Sequence, residues 1–119
     1  MLNVDFYHKK NGECPVEEYL NSLSPKLRAK TLRSIMLLEE FGCELRMPYS
    51  RLIGEGIFEL RSIVGSNVTR VLYFFIENNT AILTHGFNKK TQKAPTKEVK
   101  KAILYRRDYY KQNNKEQEW

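Results

Sequence analysis

Three runs between residues 57 and 87 do most to limit what this chain can become: "IFELRSIV", "TRVLYFFI" and "TAILTHGF". Each is crowded with β-branched and aromatic side chains, which suit a pleated surface and lose freedom in a helix. Between them stand "GSN" and "ENNT", residues that tolerate tight turns. Strands joined this closely pair antiparallel, because a parallel return needs a crossover of about a dozen residues or more. The middle of the chain therefore reads as a β-meander.

The flanks add helices. "LNVDFY" near the start has enough β-formers for a first strand. In "CPVEEYLNSL" a proline opens a helix, and Val16, Tyr19, Leu20 and Leu23 recur at helical spacing. In "SPKLRAKTLRSIMLLEEFG" Ser24 suits the N-cap, Pro25 the first helical position and Gly42 the C-terminal stop. Its apolar stripe is read as Leu27, Leu32, Ile35, Leu38 and Phe41, and the two helices as an αα-hairpin. A loop with Pro48, Gly54 and Gly56 leads to the meander. "APTKEVKKAILYRRDYY" then forms a last helix with Val99, Ala102, Ile103 and Arg106 on one face. The fold class is α+β: a small antiparallel sheet with packed helices, in the order β-α-α-β-β-β-α. Residues 1–110 form a single domain, and residues 111–119 form a polar tail expected to fray.

Register follows from the turns. With Ser66-Asn67 and Asn78-Asn79 as two-residue turns, Ile63 opposes Arg70, Leu72 opposes His85, and Arg70 opposes Phe87. One face then carries Phe58, Leu60, Val64, Val71, Tyr73, Phe75 and Ile82, and packs on helices. The other sets Glu59, Arg61, Arg70 and His85 among Ile57, Ile63, Leu72, Phe74 and Phe87. Charges on a partly apolar face must pair or meet an anion. Glu59 has a ready neighbour in Arg61. Arg70 has no acid in its own strand and points to anion binding. Lys89, Lys90 and Lys93 follow the strand that carries His85, either as a solvated run or as one lip of a polyanion site.

Charge supports a polyanionic partner. Lys and Arg number 20 against 14 Asp and Glu, a formal charge of +6. That balance admits nucleic acid, an acidic protein or an anionic membrane. No apolar run approaches membrane length. Cys14 and Cys43 stand apart with no histidine cluster near them, so no metal and no cofactor are expected. The opening residues are too short and polar for a signal peptide, which makes the cytoplasm the expected compartment.

The blocks "LIGEGIFELRSI", "TRVLYFF", "HGFNKKTQKAPTKEVKKA" and "RRDYY" resemble the phage-derived, HigB-like branch of the RelE/ParE toxin superfamily, across about residues 6–110. The resemblance implies a RelE-like fold and the toxin of a type II toxin–antitoxin module. It implies a ribosome-dependent mRNA endonuclease (an mRNA interferase) that inhibits translation. The 2′-hydroxyl attacks the adjacent phosphate without metal and leaves a 2′,3′-cyclic phosphate. The implied partners are the ribosome, mRNA and a helix-turn-helix antitoxin that is HigA-like. DNA is met only through that antitoxin, and no membrane is involved.

On this resemblance Arg70 stabilises the transition state, and Arg61 and Lys89 hold phosphate. Lys90 or Lys93 protonates the leaving oxygen, and His85 or Glu59 acts as general base. RelE itself has lysines where this chain has Ile57 and Glu59, so its acid–base scheme does not transfer. Lys26, Arg28, Lys30, Arg33, Lys97, Lys100 and Lys101 are candidates for ribosomal RNA contacts or ordinary solvated helix faces. Two other readings share the fold: a ParE-like DNA gyrase inhibitor, and a non-catalytic protein that binds its antitoxin and regulates the operon.

Overall fold

A computed structural model of the chain describes residues 2–77, 79–88 and 95–113. The elements in order are β1 (Asn3–Phe6), α1 (Pro15–Ser22), α2 (Pro25–Phe41), a 3-10 turn (Gly42–Glu44), β2 (Ser50–Gly54), β3 (Ile57–Val64), β4 (Asn67–Ile76), β5 (Thr80–Asn88) and α3 (Thr96–Gln112). They build an α+β fold around a five-stranded sheet ordered β1-β5-β4-β3-β2. The sheet is mixed, because β1 pairs with β5 in parallel. It also has one strand more than the sequence reading. The short run "SRLIG" forms β2 and turns back into β3 through Glu55 and Gly56, both at positive φ as a tight hairpin requires.

The capping residues act as their chemistry dictates. The Ser24 hydroxyl accepts from the Leu27 N–H, and Gly42 ends α2 at φ 56°. α3 runs to Gln112, two residues into the stretch read as a tail. Trp119 lies outside the described residues.

The sheet separates two cores. One lies under α1 and α2 and gathers Val16, Leu20, Ile35 and Leu38 with Leu60, Val71, Tyr73 and Leu83. The other lies under α3 and gathers Ala102 and Tyr110 with Ile57, Leu72, Phe74, Ile82 and Phe87. The helices α1 and α2 do not form a hairpin built on each other. They lie side by side on the sheet, α1 over β5 and α2 over β3. Gly86 permits the first approach: a Cβ there would sit 2.1 Å from the Tyr19 ring.

Three details of the sequence reading change. The β3–β4 turn is Gly65-Ser66, with Val64 opposite Asn67 and Gly65 at φ 61°. Arg61, not Ile63, therefore opposes Arg70. The slip is two residues, so every side chain keeps its face. Between β4 and β5, Ile76 pairs with Thr80, which leaves three connecting residues instead of two. One of them, Asn78, lies outside the described residues. A β-bulge at Thr84 then restores the expected pairing of Leu72 with His85 and of Arg70 with Phe87. Ile82, on the far side of the bulge, opposes Phe74 and packs under α3, not under α1 and α2.

The α2 stripe also rotates. The buried positions are Thr31, Ser34, Ile35 and Leu38, while Leu32 and Phe41 face out. Short hydroxyl residues win because they find partners. Thr31 Oγ1 meets Thr69 Oγ1 at 2.8 Å, and Ser34 Oγ meets Ser62 Oγ at 2.7 Å, both buried.

Gly86→Ala tests the α1–β5 packing. The added methyl displaces the Tyr19 ring and costs about 1–3 kcal/mol. Urea denaturation should show a lower midpoint with an unchanged slope, and an unshifted midpoint would mean that Tyr19 moves aside freely.

Candidate functional site

Two rows of side chains on the α3 face of the sheet form the candidate site. In the first row Arg51 on β2 opposes Glu59 on β3, Glu59 opposes Leu72 on β4, and Leu72 opposes His85 on β5. In the second, Arg61 opposes Arg70 and Arg70 opposes Phe87. The Thr84 bulge makes this possible. Without the extra residue, strict alternation would turn His85 toward α1 and α2. The Thr84 side chain is fully buried, with its hydroxyl 3.1 Å from the Leu72 carbonyl oxygen.

Glu59 is the centre of the first cluster. Its carboxylate is fully buried, and Oε1 accepts from Arg51 Nε at 3.1 Å while Oε2 accepts from Arg70 Nη1 at 3.1 Å. Arg61 Nε stands 3.7 Å from Oε1. At that distance the contact is ionic and not a hydrogen bond, and Arg61 Nε is buried with no hydrogen-bond partner among the described residues. One carboxylate among three guanidiniums leaves a net charge of +2. Arg70 thus has an acidic partner after all, supplied by the neighbouring strand and invisible within its own.

Arg51 and Arg61 are the partly exposed members of this cluster, at 28 % and 14 % side-chain exposure against 1 % for Arg70. Arg61 also borders a cleft of about 340 Å³ whose other lining includes Lys30, Arg33 and Ser34 of α2 and Tyr49. Three cations and an exposed aromatic ring at one opening suit a ribose–phosphate chain with a base beside it. Tyr49 and Arg51 were not singled out from sequence. Both belong to or border β2, whose five residues with a glycine end gave too short a pattern to read. The arginine two positions beyond the aromatic was the available signal.

His85 is built in rather than presented. It is 3 % exposed, stacks at a tilt on Phe87 and meets Tyr105 edge-on. Its Nε2 lies 3.1 Å from Glu98 Oε1 in the first turn of α3, and its Nδ1 lies 3.1 Å from Thr84 Oγ1. Burial lowers its pKa from the ordinary 6.5, the Glu98 carboxylate pulls the other way, and Lys101 adds a smaller lowering. In the neutral ring, Nε2–H donates to Glu98. The contact ties the start of α3 to β5.

The remaining candidates separate. Lys89, Lys90 and Lys93 lie outside the described residues. Lys26, Lys30, Arg33, Lys97, Lys100 and Lys101 are exposed. Arg28 is not available in the same way: its Nε donates to the Leu20 carbonyl at 2.9 Å and Nη2 to that of Asn21 at 3.2 Å, closing the end of α1. Tyr73 is buried, and its hydroxyl bonds the Ser50 hydroxyl. Burial raises its pKa to about 12. Among the described residues, no group of three or more His, Cys, Asp or Glu is placed to hold a metal ion, and no helix is long and apolar enough to cross a membrane.

The family model described as phage-derived protein Gp49-like (DUF891) matches residues 18–106. The match covers Arg51, Glu59, Arg61, Arg70, His85 and Glu98. No curated protein matches the chain.

Glu59→Gln keeps the shape and removes the charge that the arginines meet. Stability should fall by roughly 3–5 kcal/mol, because the guanidiniums stay buried without their anion. Denaturant titration checks this, and a loss under about 1 kcal/mol would show that water already screens the cluster. His85 predicts a pH effect. Its folded pKa is depressed, so its contribution is complete above pH 6.5 and is lost as pH falls through the lower folded value. Unfolding midpoints between about pH 7 and about pH 5 should therefore drop more steeply in the native chain than in His85→Asn.

Proposed function

The chain belongs to the phage-derived Gp49-like protein family, and from that premise we propose that it is the toxin of a type II toxin–antitoxin module that cuts mRNA on the ribosome. The family is consistent with a toxin of such a module. The observation that carries the finer reading is the cluster of Arg51, Arg61 and Arg70 around one buried carboxylate, with Arg61 also at the edge of a cationic cleft. Cleavage by the 2′-hydroxyl builds charge on a phosphorane. Fixed cations favour that transition state over the ground state.

In this reading Arg61 meets the scissile phosphate, Arg70, 1 % exposed behind Glu59, adds its charge from beneath, and the net positive cluster supplies what a metal would supply elsewhere. Glu59 has both oxygens engaged by arginines, so it holds them in place and moves no proton. Lys90 or Lys93 protonates the 5′-oxygen, and Lys89 adds charge along the phosphate path. His85 serves as base only if its Nε2 exchanges Glu98 for the 2′-hydroxyl. Otherwise it positions the strand. The antitoxin, a helix-turn-helix protein of the HigA kind, and the ribosome are the proposed partners.

Inducible expression followed by primer extension on a reporter mRNA tests the reading. Translation-dependent cuts within codons should appear and should weaken at least a hundredfold in Arg61→Ala, in the range lost when one transition-state donor is removed. Arg70→Lys, checked for folding by circular dichroism, should weaken them too. Replication arrest with intact mRNA would replace the nuclease by a gyrase inhibitor. Unchanged cutting in the presence of EDTA, at levels that leave ribosomes assembled, supports chemistry without metal. A His85→Gln variant with an unaltered pH–rate profile would remove His85 from proton transfer.

A further inference from the structure

α2 buries Ile35 and Leu38 but is turned away from part of its hydropathic stripe. It turns Thr31 and Ser34 to the sheet and leaves Leu32 and Met36 outside, at 42 % and 64 % exposure. The hydroxyl pairs with Thr69 and Ser62 hold that orientation, so the exposed apolar side chains are a stable feature of the folded chain. Across from them Ile63 is 46 % exposed. It sits where β3 runs past the end of β2: the ladder with β2 stops at Ser50 opposite Leu60, and the Tyr49 carbonyl takes the Arg61 N–H.

Together Leu32, Met36, Ile63 and Val64 floor a groove of about 680 Å³. Among the described residues, Lys26, Lys30 and Arg33 are the charged ones that line it, and no acid does. Ala29 lies in the same row of α2 and leaves a shallow place between longer side chains. A ridge of helix positions interrupted by a small residue is the surface on which another helix packs. From Lys26 to Met36 the row spans about 15 Å, enough for about three turns of a partner helix.

We propose that this groove is the docking site for an acidic amphipathic helix of another protein, with aliphatic side chains set on Leu32, Met36 and Ile63 and Asp or Glu set against Lys26, Lys30 and Arg33. Charge complementarity selects this occupant. A second copy of the chain would bring its own cationic groove and a formal charge of +6 against like charge. An RNA backbone would meet the lysines but would leave the aliphatic floor without a partner. The groove shares Lys30, Arg33 and Ile63 with the cleft that Arg61 borders. A docked helix therefore competes for the cations at that cleft, whatever chemistry the cleft performs.

The experiment uses the whole chain and a synthetic helical peptide with Leu at i, i+3, i+4 and i+7 and Glu elsewhere, read by fluorescence anisotropy and by the peptide's circular dichroism. Binding should appear together with a gain in peptide helicity. It should weaken at least tenfold in Met36→Glu and in Lys30→Glu, both at exposed positions that leave folding intact. It should persist in Arg61→Ala, which touches the cleft and not the groove. The same peptide with Lys for Glu should not bind. Binding unaffected by Met36→Glu overturns the proposal, as does no binding at all. A single-stranded RNA that is lost in Met36→Glu while the acidic peptide fails also overturns it, and so does a dimer that Met36→Glu dissociates. None of these readouts involves cleavage, so the outcome stands apart from the nuclease reading.

Discussion

The buried Glu59 carboxylate orders the functional half of the sheet. A carboxylate taken fully out of water is costly unless it is paired and hydrogen-bonded. Here the pairing comes from three strands at once: Arg51 from β2, Arg61 from β3 itself and Arg70 from β4. Arg61 and Arg70 stand directly opposite each other, where like charges repel. The single carboxylate among the three guanidiniums makes the arrangement tolerable and leaves a net charge of +2. The excess positive charge is then a property of the fold, held in place before any anion arrives, and a preorganised charge acts without reorganisation at the moment of reaction.

The Thr84 bulge is the second constraint, and it acts on phase instead of charge. One extra residue in β5 reverses which face the following side chains occupy. It brings His85 and Phe87 to the arginine face and sends Gly86 to the opposite one, where the absence of a side chain lets the Tyr19 ring close over the strand. His85 in turn reaches Glu98 and anchors the start of α3. The site face, the α1 packing and the entry of α3 all follow from the same inserted residue.

Much of this was legible in the chain. The strand-forming runs, the prolines and caps at Ser24 and Gly42, and the gathering of Glu59, Arg61, Arg70 and His85 on one face follow from local chemistry and period. The His85 placement was reached through two departures that cancel. The β4–β5 connection is one residue longer than the turn inferred, and the bulge absorbs that residue. No local pattern shows a bulge, since it becomes visible only when two strands are paired. The α2 stripe held at Leu27, Ile35 and Leu38 and failed at Leu32 and Phe41 for a related reason. Hydropathy favours Leu32 over Thr31 and Ser34, but hydroxyls on the facing strand give the polar residues partners that the helix sequence does not contain. The Arg70–Glu59 pair and the β2 residues Arg51 and Tyr49 were hidden in the same way, by strands distant in sequence or too short to signal.

The sequence by itself determined the class of fold, its positive charge, the strands and helices with strong period, and the residue types able to hold a phosphate. Those depend on interactions within a few residues of each other. Only the tertiary structure decided which arginine meets which carboxylate, that both ring nitrogens of His85 are occupied, and that α2 leaves an apolar stripe beside the open end of β3. Each depends on groups brought together from separate strands and helices. The partner that pays for burying a charge or a hydroxyl can lie anywhere in the chain, and only the packed fold says where.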